Sequence, residues 1–306
     1  MPQPLVSVVM PVRNRARWVR RAIESVFAQT YEKLELLVVD DGSTDETPAV
    51  LRSYADSLSI FTLPHVGPYR ARNYAIERAR GDLIAFIDSD DLWFPDKLER
   101  QIPLFERRGI GLVFGDAVLV DHSASPPVEL ATTFFDNAPP SRGQVAARFA
   151  YSNFVPFSSV IVRRSCFEDV GGFAPTLSAD HVKWFEIALR YELDYVPTPV
   201  FAYALHADGI SRDICASLRA RIEAFAEILT QADGETARLI KHILFNLRLQ
   251  LALAELRRGK LPRTGYSANP SDNPPFADRV LWLLSFSGYQ ASLRLRRKVR
   301  QIARAL

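Results

Sequence analysis

The chain has 306 residues, 48% of them hydrophobic, with 38 Lys and Arg against 35 Asp and Glu. That is ample material for a sizeable core, and the charge excess is too small to argue for a nucleic-acid partner. Two cysteines without metal-ligand spacing, Cys166 and Cys215, make no disulfide framework and favour a reducing compartment. No basic segment precedes a long apolar run near Met1, and the longest late apolar stretch, Val280 to Phe286, is far short of the ~20 residues of a bilayer span; neither a signal peptide nor a membrane crossing is expected.

Leu5 to Val12 reads as a first strand, stopped by Pro11 and the polar pair Arg13-Asn14. A helix follows, with Trp18, Ala22, Val26 and Phe27 at helical spacing. Leu34 to Val39 forms the next strand and ends in Asp40-Asp41-Gly42; Ser43, Thr44 or Asp45 can cap a helix running to about Tyr54. Ser59 to Leu63 is a third strand, followed by a Gly67-Pro68 turn and a helix from about Tyr69 to Ala79. The alternation predicts an α/β fold with a mostly parallel central sheet, whose ligands sit beyond the carboxyl ends of its strands.

Gly81 to Asp91 is the pivot of the chain. Its apolar run, Leu83 to Ile87, opens abruptly into Asp88, Asp90 and Asp91, and carboxylates are almost never buried unpaired. On an extended backbone Asp88 and Asp90 point the same way and suit a hard divalent cation, Mg2+ or Mn2+. The competing structural use is a strand ending in a turn, with Asp91 capping a helix near Pro95.

A helix is expected at Asp96 to Arg107 and a longer strand at Gly111 to Val120. Ser123 to Arg142, rich in Pro, Ser, Thr and Asn, reads as an excursion or loop. A strand at Ser158 to Arg163, a turn at Gly171-Gly172, a helix from His181 to about Tyr191 and a strand at Tyr195 to Leu205 complete the mixed second half. From Ile214 the chain turns helical, with segments at Ser217 to Leu229 and Thr236 to Arg258, a proline-rich link, and a final stretch from Phe276 to Leu306.

The stretches SVVMPVRN, AIESVFAQTYEKLELLVVDDGSTDET, ARNYAIERARGDLIAFIDSDDLWFPDKL, VGGF and, more loosely, ADHVKWFEIALR resemble the inverting GT-A glycosyltransferases of family 2, in that family's order and spacing over Leu5 to Arg212. The resemblance implies a GT-A (Rossmann-like) domain at residues 1–213, with a nucleotide-binding half at 1–110 and an acceptor-binding half at 111–213. A helical extension at 214–306 ends in a basic amphipathic helix. It implies transfer of a sugar from a nucleoside-diphosphate sugar, at family level a UDP-sugar, to an acceptor hydroxyl in cell-surface polysaccharide or glycolipid synthesis.

By position, the resemblance gives Pro11, Val12, Arg13, Asp41 and Ser89 to the nucleotide, Asp88 to the ribose, and Arg72 to the diphosphate or nucleoside. Asp90 would ligate Mg2+ or Mn2+, with His206 touching the metal or diphosphate and Arg212 covering the phosphates. Family members commonly carry Tyr where Arg13 stands and Glu where Ala179 stands. Asp40 is expected to hold turn amides, and Asn73 to be a helix-start or loop residue.

Transfer passes through an oxocarbenium-like transition state, so one carboxylate must deprotonate the acceptor across the ring from the leaving diphosphate. Asp180 aligns with the second acid of the family's usual pair, which implies the base; its structural alternative is the cap of the helix beginning near His181.

Leu281 to Leu306 holds no acid but carries Arg294, Arg296, Arg297, Lys298, Arg300 and Arg304 above apolar positions at helical intervals. Peripheral contact with an anionic membrane surface is one reading, which would place a cytoplasmic chain on the inner face of the membrane. A helix packed on its own domain or in a homodimer is the other. Outside the enzyme class, the alternative is a non-catalytic nucleotide-sugar-binding or scaffold protein. The Gly-rich signatures of dinucleotide and P-loop sites do not occur, and no stacking platform argues for RNA.

Overall fold

The computed structural model describes residues 3–150, 152–176, 178–206 and 213–257. These fall into two compact units divided between Arg212 and Asp213.

The first unit is built on a sheet whose centre is β1 (Val6–Val12), every residue of which is buried. Helix α1 (Val19–Phe27) follows; Val19, Ala22, Ile23 and Val26 face the core. The expected apolar face is rotated at its end: Phe27 is 41% exposed and Ile23 fills the buried position. Then come β2 (Leu34–Asp40), α2 (Thr47–Arg52), β3 (Ser59–Thr62), α3 (Pro68–Ile76) and β4 (Leu83–Phe86). β1 pairs in parallel with β2 and β4, and β2 with β3. The alternating pattern of the sequence therefore becomes a parallel half-sheet, its carboxyl ends on one rim.

Where Asp91 was expected to cap a helix, the chain forms a short strand, β5 (Leu92–Trp93), antiparallel to the last strand. Helix α4 (Lys97–Gln101) begins later and tightens into a 3-10 turn over Ile102–Glu106, with Pro103 at its start supplying no N–H. β6 (Ile110–Asp121) is long and mostly buried. The excursion expected at Ser123 to Arg142 is partly ordered: β7 (Val128–Thr133) pairs antiparallel with β6, and Thr133 and Asp136 form a capping box on the short helix α5 (Phe134–Asn137). β7 is exposed along almost its whole length, so it carries no core-facing pattern.

β8 (Ile161–Arg163) runs antiparallel to both β4 and β6. Helix α6 (Arg164–Val170), not anticipated, leads to the glycine turn. α7 (Ala179–Ala188) and β9 (Glu192–Leu205) complete the unit, β9 lying parallel to β6. The sheet order is β3-β2-β1-β4-β8-β6-β9-β5, with β7 off β6. The second unit, as described, is the helix pair α8 (Ile214–Leu229) and α9 (Gly234–Arg257), the first capped by Asp213 on the amides of Cys215 and Ala216. No helix among the described residues is long and apolar enough to cross a membrane. The basic helix expected near the C-terminus and Arg212 lie outside the described residues.

Candidate active site

The ends of β1 and β2 are laced together. Asn14, at φ 50, donates its N–H to the Ser43 hydroxyl at 3.0 Å and accepts from the Thr44 N–H at 2.8 Å. Asp45 serves the start of α2 by accepting the Thr47 N–H at 2.9 Å, and Asp40 accepts the Ser43 N–H at 3.0 Å, the turn-holding use expected of it. Pro11 and Val12 are buried behind this rim and Arg13 is exposed on it.

Asp41 faces the next loop. Its carboxylate accepts the N–H groups of Val66 at 2.5 Å and Gly67 at 2.9 Å and sits 3.1 Å from His65 Nδ1, with 4% of the side chain exposed. Gly42 sits at φ +73, and a Cβ there would lie 2.9 Å from the His65 nitrogen, so the two loops meet where only glycine fits.

Beyond β4 the chain turns rather than remaining extended: the Asp91 N–H donates to the Asp88 carbonyl at 3.1 Å. Strand alternation therefore does not set the direction of the three acids, and each has its own partners. Asp88 is hydrogen-bonded by Arg72 Nη2 and donates its N–H to the Ser158 hydroxyl at 2.9 Å. Asp90 takes Arg15 Nε at 3.3 Å and His206 Nε2 at 2.9 Å on the same oxygen. Asp91 is the buried member, accepting from the Ser158 hydroxyl at 2.5 Å and the Ala204 N–H at 2.9 Å. It pins β9 and the Ser158 turn beneath the rim instead of capping a helix. Ser89 is buried between Asp88 and Asp90.

Burial raises the Asp91 carboxyl well above its ordinary range, and the charges of Asp90 and Asp88 raise it further. Asp88 is also pushed up, first by burial and then by Asp90 and Asp180, with Arg72 opposing. About a third of the Asp88 side chain is exposed, which tempers its rise.

Arg72 lies over the rings of Tyr69 and Phe157 at 5.0 and 4.2 Å, and its Nε is buried with no hydrogen-bond partner among the described residues. A buried guanidinium with an orphaned donor is suited to an anion. His206 stacks on Trp18 with ring centroids 5.1 Å apart, and Trp18 meets His122 edge-on at 4.7 Å. A cavity of about 140 Å3 adjoins Asp90, lined in part by Trp18, Arg21, His122 and Ala204.

Asp180 stands in the first turn of α7, but its carboxylate leaves that helix. Oδ1 accepts from the Tyr69 hydroxyl at 2.9 Å and Oδ2 from Asn153 Nδ2 at 3.0 Å; Ser178 occupies the cap position. Asn73 lies inside α3 rather than at a loop. Its amide donates to the Phe173 carbonyl and accepts the Phe173 N–H, both at 2.8 Å. Gly172 makes this contact possible, since a Cβ there would sit 2.6 Å from the Asn73 oxygen. That clamp ties the glycine turn, and so the approach to α7, onto the helix that carries Tyr69 and Arg72.

Arg15, Ser158, Tyr69 and Asn153 escaped the sequence reading. Only Tyr69 left a local signal, being one helical turn before Arg72 and so on the same face.

No three acidic, histidine or cysteine side chains among the described residues converge as a metal cluster. Asp90 and His206 nevertheless place an oxygen and a nitrogen 2.9 Å apart at the rim. This fits a divalent ion that takes one or two protein ligands and completes its shell with phosphate oxygens and water.

A family model described as Glycosyl transferase family 2 matches residues 7–171. An uncharacterized glycosyltransferase of Rickettsia felis is 31% identical over 218 residues, 69% of this chain and 36% of that protein. The UDP-Glc:alpha-D-GlcNAc-diphosphoundecaprenol beta-1,3-glucosyltransferase WfgD of Escherichia coli is 38% identical over 122 residues, 39% of this chain and 48% of that protein. The chain thus spans about a third to a half of the length of these relatives. Among solved structures, S. aureus TarS 1-349 in complex with UDP-GlcNAc superposes with a TM-score of 0.65 at 16% identity, over 92% of this chain and 79% of that one. At that identity the likeness is one of fold, and it extends to the mixed sheet with flanking helices described above.

Proposed function

The chain belongs to glycosyl transferase family 2, and on that premise we propose that it moves a sugar, with inversion, from a nucleoside-diphosphate sugar to an acceptor hydroxyl. The observation that supports this reading is that one side chain, Tyr69, touches both the residue proposed for the leaving group and the residue proposed as base. Tyr69 places its ring on Arg72 and its hydroxyl on Asp180, and the Asp180 charge is among the causes that raise Asp88.

In this reading Pro11, Val12, Arg13 and Asp41 cradle the nucleoside, and Asp88, with Ser89 beside it, holds the ribose. Asp41 already anchors the His65 to Gly67 turn, and its carboxylate has lone pairs left for a base N–H. Arg72 offers its unpartnered Nε to the diphosphate. Asp90 and His206 would hold Mg2+ or Mn2+; the ion, when bound, neutralises charge that gathers on the departing diphosphate. Asp180 accepts the proton of the incoming hydroxyl, and its two neutral donors leave it with further acceptor sites.

A UDP-sugar donor and a lipid-linked cell-surface acceptor are the proposals closest to the name of the E. coli relative. Peripheral membrane contact through the basic stretch Arg294 to Arg304 would bring the site to such an acceptor. A panel of UDP-, dTDP- and GDP-sugars, screened for Mn2+-dependent thermal stabilisation and then for release of nucleoside diphosphate, tests the reading. One nucleotide sugar that both stabilises the chain and is turned over is expected. Stabilisation without turnover, for every donor and acceptor tried, would favour the binding or scaffold alternative.

A further inference from the structure

Both oxygens of the Asp180 carboxylate are occupied by donors from outside its own helix, one reaching across 111 residues of sequence and one across 27. We propose that Tyr69 and Asn153 are positioning residues, a two-sided clamp that fixes the orientation of the Asp180 carboxylate before an acceptor hydroxyl arrives. The inference rests on the reading of Asp180 as the base.

A carboxylate at the start of a helix ordinarily turns back onto free amides of the first turn. Asp180 does not; it is held by Tyr69 and Asn153 at 2.9 and 3.0 Å, ordinary lengths for donors to a carboxylate. Tyr69 is suited to donate and not to accept. Tyr69 is half-buried and its phenol faces the negative charge of Asp180, and both keep its proton on. A carboxylate with two oxygens has about four acceptor sites, so two donors restrain its rotation and still leave sites for a substrate proton. The donor side bears on the same residue: the ring under Arg72 ties the orientation of the base to the cation that meets the diphosphate.

Other ionisable groups near Asp180 do not duplicate the clamp. Tyr69 meets it from α3, with Arg72 stacked on that ring, and Asp88 faces it from beyond the end of β4. His181, next along α7, turns Nε2 to the Phe149 carbonyl at 3.2 Å, and Lys183 is taken by the Val170 carbonyl at 2.9 Å and by Glu186.

The test measures kcat for release of nucleoside diphosphate and the affinity for UDP with Mn2+ in the full chain, using the nucleotide sugar that stabilises it most strongly. Tyr69→Phe keeps the ring on Arg72 and deletes only the hydroxyl; Asn153→Ala removes the second donor. Each is expected to lower kcat about tenfold, while the affinity for UDP with Mn2+ stays within about twofold of the parent. A merely structural staple between α3 and α7 would lower thermal stability and leave kcat, read well below the melting temperature, at the parent's level. A kcat unchanged in both variants, or in whichever of them folds, overturns the clamp. Asp180→Asn separates the two readings. If it retains transfer, the base assignment falls and takes the clamp with it. If it abolishes transfer while Tyr69→Phe and Asn153→Ala keep the parent's kcat, only the clamp falls.

Discussion

His206 Nε2 lies 2.9 Å from Asp90 Oδ2, and the same imidazole stacks on Trp18, so the last residue described before position 207 is tied to the acidic end of β4. If the pair ligates a divalent ion together with substrate phosphate, each member matters only when both are present. Asp90→Asn and His206→Ala are each expected to weaken Mn2+-dependent UDP binding about tenfold or more, read by calorimetry. EDTA should bring the parent chain down to the level of the variants. Equal UDP affinity with and without EDTA would remove the metal from the scheme.

Arg72 is buried, stacked on Phe157 and Tyr69, and has one donor without a partner. A lysine retains the charge but loses the fork and the planar stacking. Arg72→Lys is expected to weaken UDP binding about 10- to 100-fold, measured against the Asp88→Asn variant, which keeps the guanidinium.

Gly172→Ala would drive a methyl to 2.6 Å from the Asn73 oxygen, breaking the two hydrogen bonds to Phe173 or shifting the turn. A loss of about 1–3 kcal/mol in denaturant unfolding is expected. Combined with Asn73→Ala, which removes the obstructing amide, the glycine substitution should cost less than it does alone.

Lys97 is fully buried, donating to the Gln101 side chain at 2.7 Å and the Ser159 carbonyl at 3.1 Å, with Nζ 4.2 Å from the centre of the Trp93 ring. Burial pulls its pKa well below the ordinary 10.5. Because the folded value is depressed, the unfolded chain binds this proton more tightly. The associated stability is therefore complete above about pH 10.5 and is lost as pH falls through the folded value. Lys97→Met cannot titrate, so its melting temperature should gain on the parent as pH is lowered from 10 to 5. A difference that stays constant over that range would mean that Lys97 is not titrating with folding.

The parallel half was legible because its strands are short apolar runs that stop at acids and glycines, signals that owe little to tertiary context. Asp40 could be placed for the same reason: a carboxylate before Gly42 has a turn amide within reach. Asp91 was misread because nothing local separates a helix cap from an acid buried by Ser158 and Ala204, which lie 67 and 113 residues away. β7 went unseen because Val128 to Thr133 packs against no core, and β5 because two residues make no pattern. The partners of Asp180 are likewise products of folding: a tyrosine in α3 and an asparagine before the Pro156 turn carry no mark of sharing a carboxylate.

The proposed function turns on Asp180 removing the acceptor proton. The most direct measurement compares Asp180→Asn with the parent chain, using whichever nucleotide sugar stabilises the protein most strongly and following both donor affinity and release of nucleoside diphosphate. Donor affinity within about threefold of the parent, with turnover reduced about 10^2- to 10^4-fold, is the predicted result. Turnover close to that of the parent at unchanged affinity would contradict it.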